Sequence, residues 1–391
     1  MTNQELYHRI DQVAEELYAI SDDIFDHPEL SGEEHHACQV LTAFLEKEGF
    51  QVEKGVGGLD TAFRAVWSNG TGGPNFGLLC EYDALPDLGH GCGHHAQGPA
   101  ILGAAVALKD QAGDKPFTVT VYGTPAEESI GGKIVMQKNG CFDELDVALM
   151  FHAGQTTTTD VKSLALSSFK VRFHGRSAHA AMAPEEGRSA LDGLMLAFQG
   201  IEYMREHVRE DTRMHYTVTN GGGADNVVPA LAEGTVTLRS YNRAYLDTVV
   251  ERFRDIITGA GLMSGTKGEL EEDLPFDSKI PVLRLNQLLM EKAEELNAPT
   301  IRPPREKTGS TDFGNVMYRV PGSCIRVAFV PERCVAHSID YVQAGKSKEM
   351  HQALLIAAKV LAAACGDMLE QPELLHEIQE EFRQRKQELD G

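Results

Sequence analysis

Four short runs, residues 61–67, 76–80, 117–122 and 147–151, are apolar almost throughout, and helical segments at 98–109 and 132–138 fall between them. A strand with two apolar faces has to be covered on both. Parallel neighbours also need a crossover of a dozen or more residues, usually a helix. The alternation therefore predicts an α/β fold, a mainly parallel sheet with helices on both faces. Upstream, Ile10, Val13, Leu17, Ile20 and Ile24 recur at helical spacing, and a second helix over 33–48 stops at Gly49.

From residue 163 the pattern changes. A strand at 164–173, a helix at 189–208, strands at 214–219 and 234–241, a helix at 245–261 and an extended piece at 269–274 follow one another. That β-α-β-β-α-β order is ferredoxin-like and predicts an inserted α+β domain over 163–280. A helix at 281–296, a strand at 324–330 and an Ala-rich helix at 344–364 then resume the first pattern, so 1–162 and 281–391 form one domain. A charged final helix carries Leu375, Ile378 and Phe382 on one side and reads as a packed surface helix. A length of 391 residues is enough for such a division.

Lys and Arg total 36 against 58 Asp and Glu, a net charge of −22. Phosphate backbones and anionic lipid surfaces repel such a chain, which argues against nucleic acid and membrane partners. Residues 1–9 hold no apolar core of signal-peptide length, and the apolar stretch 100–108 is too short to span a bilayer. A soluble cytoplasmic protein is expected. Seven scattered cysteines without a C-x-x-C pair suggest neither a disulfide framework nor a zinc ribbon.

In open parallel sheets ligands gather at the carboxyl ends of the strands, so the residues that follow each run carry the functional signal. Run 76–80 leads into Glu81-Tyr82-Asp83-Ala84-Leu85-Pro86 and Gly89-His90-Gly91-Cys92-Gly93-His94-His95. Run 117–122 leads into Pro125-Ala126-Glu127-Glu128, run 147–151 ends at His152, and His337 follows the 324–330 strand. Thiolate, imidazole and carboxylate are the donors of a borderline-soft divalent metal. Cys92 and His94, two apart in an extended loop, can face one ion. Adjacent carboxylates at Glu127 and Glu128 repel in a dry site unless a cation neutralises one of them. One carboxylate on metal while its neighbour takes a proton from a metal-activated water is the division of labour that metal-assisted hydrolysis needs. Singly, each piece has a plainer role: a hydrogen-bonded histidine, a turn, a helix start, or a small buried thiol. Their coincidence on successive strand exits favours the metal.

Further strings complete the pattern: His27-Pro28-Glu29-Leu30 with Glu34, Gly175 to Ala181, Asn226-Val227-Val228-Pro229, and Gly309-Ser310-Thr311-Asp312-Phe313-Gly314. Over almost the whole chain the sequence resembles the aminoacylase-like metallopeptidases, family twenty of the metallopeptidases. The likeness is to their amidohydrolase branch, near the dipeptidase and p-aminobenzoyl-glutamate hydrolase members. The resemblance implies a zinc-peptidase-like catalytic domain with a lid and dimerisation domain inserted in it. It implies two divalent ions, Zn2+ first and Mn2+, Co2+ or Ni2+ as alternatives, held by Cys92, His94, Glu128, His152 and His337. Glu127 is then the general base and Asp83 orients a ligand. His179 and Asn226 approach the substrate carbonyl or carboxylate, His179 across a dimer interface. Arg239, Ser310 and Thr311 join them as substrate contacts. The implied substrate is a small amide: a dipeptide, an N-acyl amino acid or a p-aminobenzoyl-glutamate-like molecule, cleaved by a homodimer.

One departure stands out, because His95 and Gln97 occupy positions where many members carry Asp and a further His. Two other readings remain open on sequence. In one, Cys92 is a thiolate nucleophile served by His94 or His152, which leaves the carboxylate pair without a task. In the other, the chain is a metal-binding homologue whose catalysis is altered.

Overall fold

A computed structural model describes residues 1–305 and 307–390. The chain divides into two compact units, Met1–Lys162 with Lys279–Glu388, and Ser163–Ser278. In chain order the strands are β1 (Gln51–Lys54), β2 (Phe63–Asn69), β3 (Asn75–Cys80), β4 (Phe117–Gly123), β5 (Val147–Gly154) and β6 (Thr158–Thr159), followed by β7 (Ala165–His174), β8 (Arg213–Asn220), β9 (Leu231–Ser240), β10 (Lys267–Glu272) and β11 (Gly322–Ala328).

The first unit holds a seven-stranded sheet in the order β1-β2-β4-β3-β5-β11-β6. Its central strands β4, β3, β5 and β11 run parallel. The flanks pair antiparallel, β1 and β2 on one side and β6 on the other. Leu79 of β3, Ala148 and Met150 of β5 and Cys324 of β11 share a buried cluster with Met136, Phe313, Val316 and Met317. Those partners come from the short helices Gly132–Lys138 and Phe313–Met317 and the segment around them. Each large side chain buried this way contributes about 1.5–3 kcal/mol. Side chains two apart on a strand share a face. The face that is core at Leu79, Met150 and Cys324 therefore carries Glu81, His152 and Arg326 one step later, at its carboxyl edge.

Helices Gln97–Asp110 and Lys348–Glu370 pack on one another and against the central strands. Lys348–Glu370 is long and apolar enough for a membrane span, with mean hydropathy 1.5, but 78% of that window is buried inside the protein, which makes it a core helix. In the final helix, Pro372–Asp390, the buried stripe is Leu374, Ile378 and Phe382. Steps of four keep these on one side, whereas Leu375, expected there from sequence, is turned about 100° away.

The second unit is a four-stranded antiparallel sheet in the order β10-β7-β9-β8. Helices Ala190–Met204 and Arg243–Ser264 join its strands into the β-α-β-β-α-β order of a ferredoxin-like domain. They pack on one face through Phe169, Val171, Phe173, Leu194, Phe198, Val236 and Phe253. Along β7 buried residues alternate with more exposed ones, and on the solvated face Arg172 reaches Glu233 at 3.0 Å and Glu271 at 2.9 Å.

Candidate metal centre

Beyond β3 the chain turns through Gly93, whose φ of +83° suits a residue without Cβ, so the loop can present Cys92 and His94 from either side of it. His94 Nδ1 lies 3.0 Å from Asp83 Oδ1 and 3.1 Å from the Asp83 carbonyl oxygen. That pairing fixes the ring and turns Nε2 inward. The other Asp83 oxygen accepts bonds from Ser31 Oγ at 2.8 Å and from the Glu128 backbone N–H at 2.9 Å, tying the β3 and β4 exits together. Glu29 caps the helix His35–Lys47 through the backbone N–H groups of His36 and Ala37.

The β4 exit is strained. Ala126 has φ +62°, a conformation costing about 1–2 kcal/mol outside glycine. Buried Glu34 offsets it by accepting the Ala126 N–H at 2.8 Å while taking a bond from Thr61 Oγ1 at 2.8 Å. Gly132 lets the next helix close in, since a Cβ there would stand 1.8 Å from the Pro125 carbonyl oxygen. Glu127 and Glu128 are presented by this tight turn. His337, also at positive φ (+63°), donates its N–H to the Gly91 carbonyl at 2.9 Å, which anchors the segment after β11 to the Cys92 loop. Strain of this kind clusters at functional sites. His152 Nδ1 pairs with the Ala153 carbonyl at 2.7 Å, and its Nε2 is 3.5 Å from Cys92 Sγ.

The donor atoms of Cys92, His94 and His152 lie within 4.8 Å of one another, as do those of Cys92, Glu128 and His337, and those of His94, Glu127 and Glu128. The first two groups share Cys92. His94 Nε2 and Glu128 Oε1 are buried and make no hydrogen bond, although they stand 3.3 Å from Glu81 Oε2 and His337 Nε2 respectively. Buried polar atoms are rarely left so, and donors of these types aimed at common points fit divalent ions. Burial pushes the Cys92 thiol up to about 12, and burial together with Arg326 holds His152 down to about 3. A neutral thiol beside a neutral His152 is not an activated nucleophile, whereas His94 is pushed well above the usual imidazole range, against its burial, by Cys92 and Glu81.

Three partners of this edge, Lys133, Gln97 and Arg326, have no site role in the sequence reading. Lys133, fully buried, donates from Nζ to Glu81 Oε1 at 2.5 Å and to Asp312 Oδ1 at 2.7 Å, and from its backbone N–H to Asp312 Oδ2 at 3.0 Å. Gln97 closes a second pair of bonds on Glu81, at 2.8 and 3.0 Å. Burial alone would raise Glu81, but Lys133 and His94 hold it well below the usual carboxylate range. Glu127 goes the other way: burial, then the charges of Glu81 and Asp312, push it well above. His95 is buried, with Nε2 2.9 Å from the Gly345 carbonyl, and packs on Phe25. Thus the two departures, His95 and Gln97, serve packing and the anchoring of Glu81. Arg326 is the third; an arginine inside an otherwise apolar strand was its available signal.

Ser310 and Thr311 line the same cavity, of about 240 Å3, with Glu81, Cys92, Glu127, Glu128, His152 and His337. His179, Asn226 and Arg239 belong to the second unit. There His179 is exposed, and its loop bridges that of Asn226 through the Ala180 N–H and the Asn226 carbonyl at 3.0 Å. Arg239 lies on β9, opposite Arg213 of β8, where burial lowers its pKa.

Residues 164–262 match the peptidase dimerisation domain. The chain is 35% identical to the Xaa-Arg dipeptidase of Homo sapiens, covering 97% of this chain and 91% of that protein. It is 32% identical to a component chain of the p-aminobenzoyl-glutamate hydrolase of Escherichia coli K12, covering 97% and 95%. A crystal structure from Bacillus subtilis, described as a dinuclear metal binding peptidase from the M20 family, shares the fold with a TM-score of 0.69 at 20% identity, covering 92% of this chain and 99% of that one. Fold, strand-exit residues and relatives together define a two-domain hydrolase of the peptidase and amidohydrolase class. The chain belongs to the M20 peptidase family.

Proposed function

We propose that the protein is a dinuclear metal-dependent amidohydrolase that cleaves the amide bond of a small substrate, a dipeptide, an N-acyl amino acid or a p-aminobenzoyl-glutamate-like molecule. The observation that carries this reading is the convergence of Cys92, His94, Glu128, His152 and His337, with buried His94 Nε2 and Glu128 Oε1 left without hydrogen bonds. The dinuclear neighbour and the two hydrolase relatives support it. Cys92, His94 and His152 would hold one ion and Cys92, Glu128 and His337 the other, Zn2+ first and Mn2+, Co2+ or Ni2+ as alternatives. Bound divalent ions supply Lewis acidity and bring water's pKa toward neutrality. Asp83 keeps the His94 ring oriented through Nδ1. Glu127, in no ligand role, takes the proton of the attacking water and returns it to the leaving amine. Ser310 and Thr311 contact the substrate from the cavity wall. Hydrolysis of dipeptides, N-acyl amino acids and p-aminobenzoyl-glutamate, assayed before and after chelation, tests the reading: turnover that a chelator leaves untouched contradicts it.

Cys92→Ser is expected to lose metal, because a hydroxyl is a much poorer ligand than a thiolate. Elemental analysis of the purified variant checks this, and retention of both ions would make Cys92 peripheral.

The inserted domain serves as lid and dimerisation domain in this reading, supported by its family match and by β8, which forms one edge of the sheet with Tyr216 and Val218 exposed. Light scattering should give the mass of two chains; a fully active monomer at nanomolar concentration contradicts it. His179 and Asn226 act on the substrate carbonyl oxygen or carboxylate, His179 across the dimer interface, and Arg239 assists with the carboxylate. His179→Ala should then lower kcat by about 10²–10³-fold, the usual loss for an oxyanion donor, with metal content unchanged. Normal kcat with reduced stability would instead mark His179 as a turn residue.

A further inference from the structure

Away from the strand exits, a second set of metal-binding side chains meets where two helices adjoin. Helix Ala14–Asp26 is followed by His27, and Asp23 lies one turn before it, so the two share a face. His36 comes from the first turn of the next helix, His35–Lys47. One donor atom from each of Asp23, His27 and His36 lies within 4.8 Å of the other two. His36 Nε2 stands 2.8 Å from Asp23 Oδ2 and His27 Nδ1 3.3 Å from Asp23 Oδ1, with the two ring centres 4.6 Å apart. All three residues are distinct from the donors of the sheet edge.

Two hydrogen bonds on one carboxylate would be the plainer account of this cluster, but the backbone sets its spacing without them. Glu29 accepts the N–H groups of His36 and Ala37 at 2.8 and 3.0 Å, and its carbonyl accepts the Ala84 N–H at 2.8 Å, so the turn between the helices is held independently of the imidazoles. The neighbouring acids have other partners. Asp22 stands 2.9 Å from His351 and Asp26 2.8 Å from Lys346, which leaves Asp23 to the two histidines. An ion with bonds of about 2.1 Å keeps adjacent donors about 3 Å apart, and the two N···O separations, 2.8 and 3.3 Å, bracket that spacing. The three side chains are partly exposed, so an ion enters from water and keeps water in its open positions. A chain of net charge −22 attracts cations to such a surface.

We propose that Asp23, His27 and His36 form a separate, solvent-facing site for one borderline divalent ion, Cu2+, Ni2+ or Zn2+, which clamps the end of one helix to the start of the next. Two imidazoles with one carboxylate suit such ions, whereas Ca2+ and Mg2+ require oxygen donors. His27 Nδ1 also lies 2.8 Å from the Asp23 carbonyl oxygen, a bond it gives up on taking the ion. With three donors and no thiolate, the site fills after the candidate centre, so its ion adds to bound metal without adding turnover. The inference stands apart from the amidohydrolase reading, because it needs no amide to be cleaved.

Counting bound Zn2+ and Ni2+ after equilibrium dialysis of chelator-stripped wild type, His27→Gln, His36→Gln and His35→Gln tests the proposal. His35 is an exposed neighbour outside the cluster and serves as the control. Wild type and His35→Gln should bind one equivalent per chain more than His27→Gln and His36→Gln, whatever the candidate centre holds. That last equivalent should also raise Tm in the wild type and in His35→Gln alone, because an ion that binds only the folded state stabilises it. The same stoichiometry in all four proteins overturns the proposal. So does a loss in His35→Gln as large as in His36→Gln, which marks adventitious binding to surface histidines, or an equal extra equivalent with Ca2+ or Mg2+, which marks charge attraction alone. Loss of turnover in His36→Gln would place the ion in the catalytic centre and overturn its separateness. Absence of amide hydrolysis in every protein leaves the difference in bound metal readable and overturns only the amidohydrolase reading.

Discussion

Glu127→Gln should lower kcat by about 10²–10⁴-fold, the range for a positioned general base, while leaving two metal equivalents bound. The amide keeps the side chain's shape and removes only its ability to take a proton. In the metal-stripped protein stability should be unchanged or higher, because Glu127 stands within 4.8 Å of Glu81 and Asp312 and is disfavoured as an anion there. A folded, metal-loaded and inactive variant therefore separates chemistry from folding. Retained turnover would remove Glu127 from the role of base, and loss of metal would make it a ligand.

The second large effect concerns Lys133, the cation among three carboxyl groups, Glu81, Glu127 and Asp312. Removing one member of a buried ion pair leaves its partner charged and desolvated, at a cost of about 3–5 kcal/mol. Lys133→Met abandons two partners at once and should reach that range in urea unfolding followed at the catalytic unit. Adding Asp312→Asn should recover part of the loss by removing one of the stranded charges. A loss below about 1 kcal/mol, with no recovery in the double variant, would mean that water reaches the cluster and screens it.

The sequence made the central strands visible because β3, β4 and β5 are buried on both faces and so read as near-continuous apolar runs, as does β11 apart from Ser323 and Arg326. The side chains now found together at the carboxyl edge were visible for a related reason: Cys92, His94, Glu127, Glu128, His152 and His337 stand at strand exits, where position alone marks them. β1 was hidden because Gln51-Val52-Glu53-Lys54 is a mostly exposed edge strand, and β6 because it is two residues long. Leu374 and Leu375 are adjacent, and only packing says which one turns inward. Lys133 was out of reach for a different reason. Its partner Asp312 is 179 residues away, and a lysine in a short helix carries no local sign that it is buried. Arg326 differs in kind from its strand neighbours, which marks it, but its convergence with Lys279 on Asp160 is a property of the folded chain alone.

On the proposed reading, two divalent ions on the β3, β4, β5 and β11 edge make this chain an amide hydrolase. Titrating chelator-stripped protein with Zn2+, Mn2+ or Co2+ while following both bound metal and amide hydrolysis tests it most directly. Without metal there should be no turnover, and activity should be full at two bound equivalents per chain, with Cys92→Ser failing to reach that stoichiometry. Turnover in the stripped protein, or full activity at a single equivalent, would contradict it.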